Sequence, residues 1–185
     1  MPADQSIRQR AAALREIGWF ADRAESTEAE LGDEIAAAMA ETLGEAVGPD
    51  DPYLELLVAE QDPSRVWWSD LEADVSDGNG VYVATLQEWA AISSGAFAPS
   101  EIEETWASEV GPVTVAFELA GTRHELHPTY LEDWIDPMIA TSINELIARS
   151  ARRFEFVEAF DQTAFVVALT ADEKAALEDR GWCFE

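Results

Sequence analysis

The sequence has few of the residues on which several common protein classes depend. Its one cysteine, Cys183, excludes an internal disulfide framework and a zinc site built from several cysteines. No catalytic base lies beside Cys183 in the sequence, so we expect a small buried hydrophobe at this position. No apolar run approaches the roughly 18 residues that a membrane-spanning helix needs. We therefore expect a soluble, cytoplasmic protein.

Basic residues are scarce as well. The chain has 11 Lys and Arg residues, of which only Lys174 is a lysine, against 38 Asp and Glu, for a formal net charge of −27. This excess repels nucleic acids and anionic membranes, and it attracts basic proteins. An acidic, lysine-poor surface is also expected in a salt-adapted cytoplasm. Composition therefore leaves a binding function and salt adaptation both open.

Apolar residues, in contrast, are plentiful. They make up 48% of the 185 residues and include seven Trp and eight Phe, most of them within periodic segments. This content excludes a wholly disordered chain and is sufficient for a packed core. We expect the aromatic residues to belong to that core, since burial is their usual role.

Helical periodicity, with apolar residues three and four positions apart, predicts helices over 6–23, 27–43 and 137–150. The first two helices should pair as an antiparallel hairpin within residues 1–48. The remaining residues, 49–185, should form an α+β domain that makes one compact unit with that hairpin. The sequence thus predicts a helical N-terminal part ahead of a mixed region.

In the last third of the chain the period changes to two. This change predicts a β-hairpin with strands at Arg153–Phe156 and Ala164–Leu169, joined by a turn at 161–163. Thr170, with Glu173 three positions later, predicts a capping box that begins a closing helix. These local signals agree with one another, but they concern folding and not function.

Two further hairpins are predicted from strand periodicity. The first spans 65–86 and turns at Asn79-Gly80; the second pairs Val113–Leu119 with a return strand at 123–127. Between them, Ser100 is predicted to cap a short helix. The predicted fold is therefore α+β, with a helical hairpin and packed helices on a mainly antiparallel sheet.

The first hairpin carries the candidate partner-binding residues. Asp70, Glu72 and Asp74 would share one face of its strand at intervals of about 6.6 Å, with Asp77 close behind. The spacing fits an EF-hand calcium loop poorly because Val75 stands where that loop has glycine. We expect a linear row of negative charge that faces a basic partner.

The two histidines, His124 and His127, raise the possibility of a metal site. On a strand, residues three apart point to opposite faces, so the pair would not hold one metal unless the chain bends at Pro128. Carboxylates that follow closely in the sequence could add oxygen ligands: Glu132, Asp133 and Asp136. A metal-dependent hydrolase therefore remains an alternative.

Other catalytic signatures are missing from the sequence. It contains no nucleophile elbow, no phosphate-cradling glycine loop and no basic patch interleaved with aromatic residues. We assign no catalytic residue, metal ligand or cofactor. The leading hypothesis is an acidic, non-catalytic binding protein, specifically an immunity-type inhibitor of a basic toxin or nuclease. The alternatives are the hydrolase and a structural domain of a salt-adapted cytoplasm.

Overall fold

The computed structural model describes residues 3–43, 48–158 and 163–185. Within these ranges it contains six α-helices and two antiparallel three-stranded sheets, an α+β fold that confirms the predicted class. The chain divides into two compact units, Met1–Val66 and Trp67–Glu185. No helix in the described part is long and apolar enough to cross a membrane.

The first unit is helical. Its α-helices are α1 (Ala3–Glu16), α2 (Glu28–Leu43) and α3 (Leu54–Glu60), and a short 3₁₀-helix follows α1. Helix α3 packs against α1, so the contacts group it with the first two helices. The predicted division at residue 48, with both parts in one compact unit, stays a prediction.

Helix α1 ends earlier than predicted because of Gly18. This glycine has a φ of 97°, a left-handed conformation that glycine adopts at little cost. The Trp19 amide donates to the Leu14 carbonyl at 3.1 Å, and the Gly18 amide donates to the Arg15 carbonyl at 3.0 Å. These two bonds form a Schellman motif, which stops the helix at Glu16.

The second unit contains both sheets. In the first sheet, strands β1 (Val66–Asp70), β5 (Arg152–Val157) and β6 (Thr163–Thr170) lie in the order β1-β6-β5. In the second, β2 (Ser100–Trp106), β3 (Val113–Leu119) and β4 (Thr122–Leu126) lie in sequence order. The helices of this unit are α4 (Val81–Ile92), α5 (Ile139–Leu146) and α6 (Ala171–Glu178).

Aromatic side chains fill the core of the second unit. Trp89 stacks on Phe154 with ring centroids 5.2 Å apart, and it meets Trp67 edge-on at 5.7 Å. Phe97 meets both Phe154 and Phe117 edge-on, at 5.9 and 5.7 Å. Strands from both sheets therefore share one apolar core with α4.

The predicted hairpin over 65–86 is wrong in its second half. Residues from Val81 onward form α4, which Gly80 precedes with a φ of 63°. Tyr82, Leu86 and Trp89 follow at helical spacing and are buried. Burial of this face outweighs the β propensity of its first residues, because propensity is a weak preference that packing overrides.

The predicted helix at Ser100 is also wrong, since this segment is strand β2. Its partly buried residues, Ile102, Glu104 and Trp106, alternate with exposed ones, and β2 pairs with β3 through Glu104–Val115 and Trp106–Val113. The capping-box pattern at Ser100 therefore has no helix to cap. In the sequence, Ile102 and Trp106 are four positions apart, a spacing that suits a helix as well as one face of a strand. The pairing with β3 decides between the two.

The last third matches its prediction closely. Strands β5 and β6 pair in antiparallel register, and Thr170 and Glu173 form the capping box, with amide-to-side-chain distances of 2.8 and 3.2 Å. The predicted turn at 161–163 falls mainly outside the described residues. The prediction that Cys183 is buried is wrong, since Cys183 is exposed. The C-terminal segment bonds to the edge of β5 and its side chains alternate between two faces, so Trp182 is buried and Cys183 is not.

Candidate partner-binding surface

Strand β1 and the segment after it place acidic side chains outside and apolar ones inside, as predicted. Asp70, Glu72 and Asp74 are exposed, and alternating residues pack against the core: Leu71, Ala73 and Val75. The strand itself is shorter than predicted. It ends at Asp70, and Asp74 has a φ of 50°, so the acids do not form the straight row expected of one strand.

A second segment holds these residues in place. The Ile135 amide donates to the Leu71 carbonyl at 2.9 Å, and the Ala73 amide donates to the Asp133 carbonyl at 2.8 Å. Residues 71–73 are therefore fixed against 133–135 by backbone bonds. This pairing brings two more exposed carboxylates beside the first three: those of Glu132 and Asp133.

Local hydrogen bonds hold two of the acidic side chains, those of Asp70 and Asp74. The Glu72 amide donates to Asp70 Oδ1 at 2.9 Å. Asn79 Nδ2 donates to both the carbonyl and Oδ2 of Asp74, each at 2.9 Å, which stabilises the left-handed conformation there. Asp77 lies exposed in the turn between them.

The surface has no counter-charge of its own. Within the described residues, none of its carboxylates lies at ion-pairing distance from a lysine or arginine. The sequence explains this, because residues 66–122 contain ten acidic residues and no basic one. We define the acidic surface as Trp68, Asp70, Glu72, Asp74, Asp77, Glu132 and Asp133.

Trp68 is the functional candidate that sequence reasoning missed. Its neighbour Trp67 is buried and donates from Nε1 to Glu88 at 2.6 Å, whereas Trp68 is 48% exposed on the same side of β1 as Asp70. Two consecutive tryptophans in a strand must point to opposite faces. That alternation is a signal in the sequence, and it contradicts the general expectation that the tryptophans belong to the core.

The histidines lie on opposite faces of the second sheet. His124 pairs in register with Phe117 and faces its ring at 5.9 Å, whereas His127 is exposed and its Nδ1 lies 3.4 Å from Thr114 Oγ1. Among the described residues, no three His, Cys, Asp or Glu side chains are grouped closely enough to hold a metal ion.

Asp136 is a candidate metal ligand under the hydrolase alternative. In the structure its carboxylate accepts backbone hydrogen bonds that stabilise the fold. The residue is buried, and its carboxylate accepts from the Thr129 amide at 2.7 Å and the Met138 amide at 2.9 Å. Its own amide donates to Tyr82 Oη at 3.1 Å. Burial raises the pKa of Tyr82 to about 12.

Replacing Tyr82 with Phe should expose the role of this bond. The buried Asp136 amide would lose its acceptor, so the free energy of unfolding at pH 7 should fall by about 1–3 kcal/mol. The unfolded tyrosine titrates near pH 10. Between about pH 10 and 12 the folded state therefore keeps a proton that the unfolded state has lost. The stability that this proton contributes is complete below pH 10 and is lost as the pH rises towards 12.

Urea denaturation at several pH values checks both parts. Wild type should lose more stability between about pH 10 and 12 than Tyr82→Phe does. Parallel pH curves for the two proteins would show that burial of Tyr82 does not influence its titration.

Chemically, the acidic surface combines exposed carboxylates with an exposed indole. Carboxylates attract cationic groups, and an indole face binds them by cation–π attraction, best with arginine. Its residues come from two segments that backbone hydrogen bonds join. In comparisons with known proteins, no family model, no curated protein sequence and no solved structure matches this chain.

Proposed function

We propose that this protein is an acidic, non-catalytic binding protein that binds a basic protein through its acidic surface. The observation that carries the proposal is the exposure of Trp68 beside Asp70, within a stretch of chain that has no basic residue. We further propose that it acts in the cytoplasm as an immunity-type inhibitor, which sequesters a basic toxin or nuclease.

The exposed tryptophan favours binding over salt adaptation. A salt-adapted surface needs hydrated carboxylates, and it gains nothing from an indole left 48% exposed. Protein interfaces, in contrast, are enriched in tryptophan, which often contributes most of the binding energy. Leu131, 41% exposed in the segment beside residues 71–73, adds apolar area next to the carboxylates.

The charge suits an inhibitor because a toxin must be captured quickly. Electrostatic attraction raises association rate constants from about 10⁵–10⁶ to about 10⁸–10⁹ M⁻¹s⁻¹ at low salt. A basic nuclease uses its positive surface to bind nucleic acid, so an acidic protein that covers this surface also blocks the substrate. No catalytic group is required for this function.

Affinity capture followed by a functional assay tests the proposal. The immobilised protein should retain a basic protein from lysate of its source cells, and co-expression should protect a host from that protein's toxicity. The control is an unrelated acidic protein of similar size and net charge. If both immobilised proteins retain the same proteins from the lysate at moderate salt, the binding reflects charge alone and the proposal fails.

A further inference from the structure

A groove of about 330 Å³ lies between helix α5 and the outer edge of strand β5. Its lining is mostly apolar, and two carboxylates stand at its rim. The residues used below are Met138, Thr141, Phe156, Glu155 and Glu185. All of them belong to the second unit, and the acidic surface does not include them.

The groove exists because the edge of β5 is covered at two separate points. At one point the side-chain amide of Asn144 bonds both the amide and the carbonyl of Phe154, at 2.8 and 2.9 Å. At the other, the Glu185 amide donates to the Phe156 carbonyl at 3.1 Å. The space between these two contacts is the groove.

Its chemistry favours a long cationic side chain. Met138 is 62% exposed, and methionine adapts its flexible thioether to whatever apolar group it meets. Glu155 is already bonded to Lys174 at 2.8 Å, whereas no lysine or arginine among the described residues pairs with Glu185. An apolar wall with one unneutralised carboxylate matches an aliphatic stem that ends in a cation.

We infer that this groove binds an arginine side chain of the basic partner, with its stem against Met138 and Phe156 and its guanidinium at Glu185. Arginine fits better than lysine because its guanidinium is more weakly hydrated and forms two parallel bonds to a carboxylate. The inference rests on the proposed function, since that function supplies the basic partner.

The groove is continuous in sequence with the acidic surface. Residues 133–135 bond to 71–73, and the same chain continues through buried Asp136 to Met138 at the groove. In the sheet that carries both sites, β1 and β5 lie on either side of β6. The inference therefore requires that the partner that contacts the carboxylates near Trp68 also reaches the groove.

Methionine NMR with a defined probe tests the groove without the partner. The chain has three methionines, of which Met39 is buried and Met138 exposed, so a ¹³C-methyl label gives few signals. Titration with N-acetyl-arginine amide should shift the Met138 signal saturably, with a dissociation constant on the order of millimolar. The neutral isostere N-acetyl-citrulline amide should leave it unchanged. Equal shifts with both probes, or none with either, would overturn the inference.

Two neighbouring substitutions give a matched control. Thr141 lines the groove and Ser142 does not, yet both are exposed on α5, and replacing either with Arg adds one positive charge. Thr141→Arg should weaken probe binding at least about tenfold by filling the groove and repelling the cation. Ser142→Arg should keep the wild-type response.

The Thr141→Arg and Ser142→Arg variants also distinguish an error in the groove assignment from an error in the proposed function. If wild type captures a basic partner and both variants capture it equally, the groove assignment is wrong and the proposed function stands. If wild type captures no specific partner but binds the arginine probe, the groove is an arginine site and the proposed function fails.

Discussion

Replacing Phe165 with Ala should lower the free energy of unfolding by about 3–5 kcal/mol. The side chain is 1% exposed in β6, the central strand of its sheet, and it meets Trp182 edge-on at 5.8 Å. Its removal leaves a cavity that a strand paired on both sides cannot close easily. Thr170→Ala, which removes one cap of α6, should cost only about 1 kcal/mol.

Chemical denaturation compares these variants directly. Val110→Ala is the control, since Val110 is 68% exposed and its loss should change stability by no more than about 0.5 kcal/mol. The expected order of stability is control, cap variant and core variant, with equal denaturant slopes. If Phe165→Ala stays within error of the control, β6 is not the centre of a packed core.

The second large effect concerns association with the partner. Changing Asp70 and Asp74 to Asn and Glu72 to Gln keeps the shape of the acidic surface and removes three charges. The hydrogen bonds to Asp70 and Asp74 survive because Asn retains an acceptor oxygen. The stability of the free protein should stay level or rise slightly, since like charges that share a surface repel each other.

Binding should weaken mainly through slower association. At low salt we expect the association rate constant to fall on the order of tenfold or more, because exposed charges steer the encounter. Its dependence on salt should flatten, since fewer charges remain to be screened. The dissociation rate should change less, because the substitutions leave the exposed indole of Trp68 in place.

How much of the fold could be read from the sequence depends on how local its signals are. The strand at 164–169 and the Thr170–Glu173 capping box were predicted because their patterns are complete within a few residues. The predictions for residues 81–86 and 100–106 were wrong because a turn pattern and a capping pattern stood beside segments whose structure is decided by packing. Asn79-Gly80 is a hairpin signal only when a strand follows.

The candidate site was predicted in part for the same reason. Alternation placed Asp70, Glu72 and Asp74 on the outside, where they are found. The contribution of Glu132 and Asp133 could not be predicted, because it depends on backbone bonds between segments about 60 residues apart.

Under the proposed function, the position of these charges, and not their number, should determine binding. A second triple variant isolates position: Gln at Glu101, Glu109 and Glu125 also removes three exposed charges, from positions outside the acidic surface. Both variants have the same net charge. Their comparison therefore cancels every effect of total charge.

The decisive measurement is the association rate constant of the captured basic partner with wild type and both triple variants, at low and moderate salt. We expect the Asp70/Glu72/Asp74 variant to associate on the order of tenfold more slowly than the Glu101/Glu109/Glu125 variant at low salt, and the latter to stay close to wild type. Equal slowing of both variants would show that binding follows net charge and that the acidic surface has no special role.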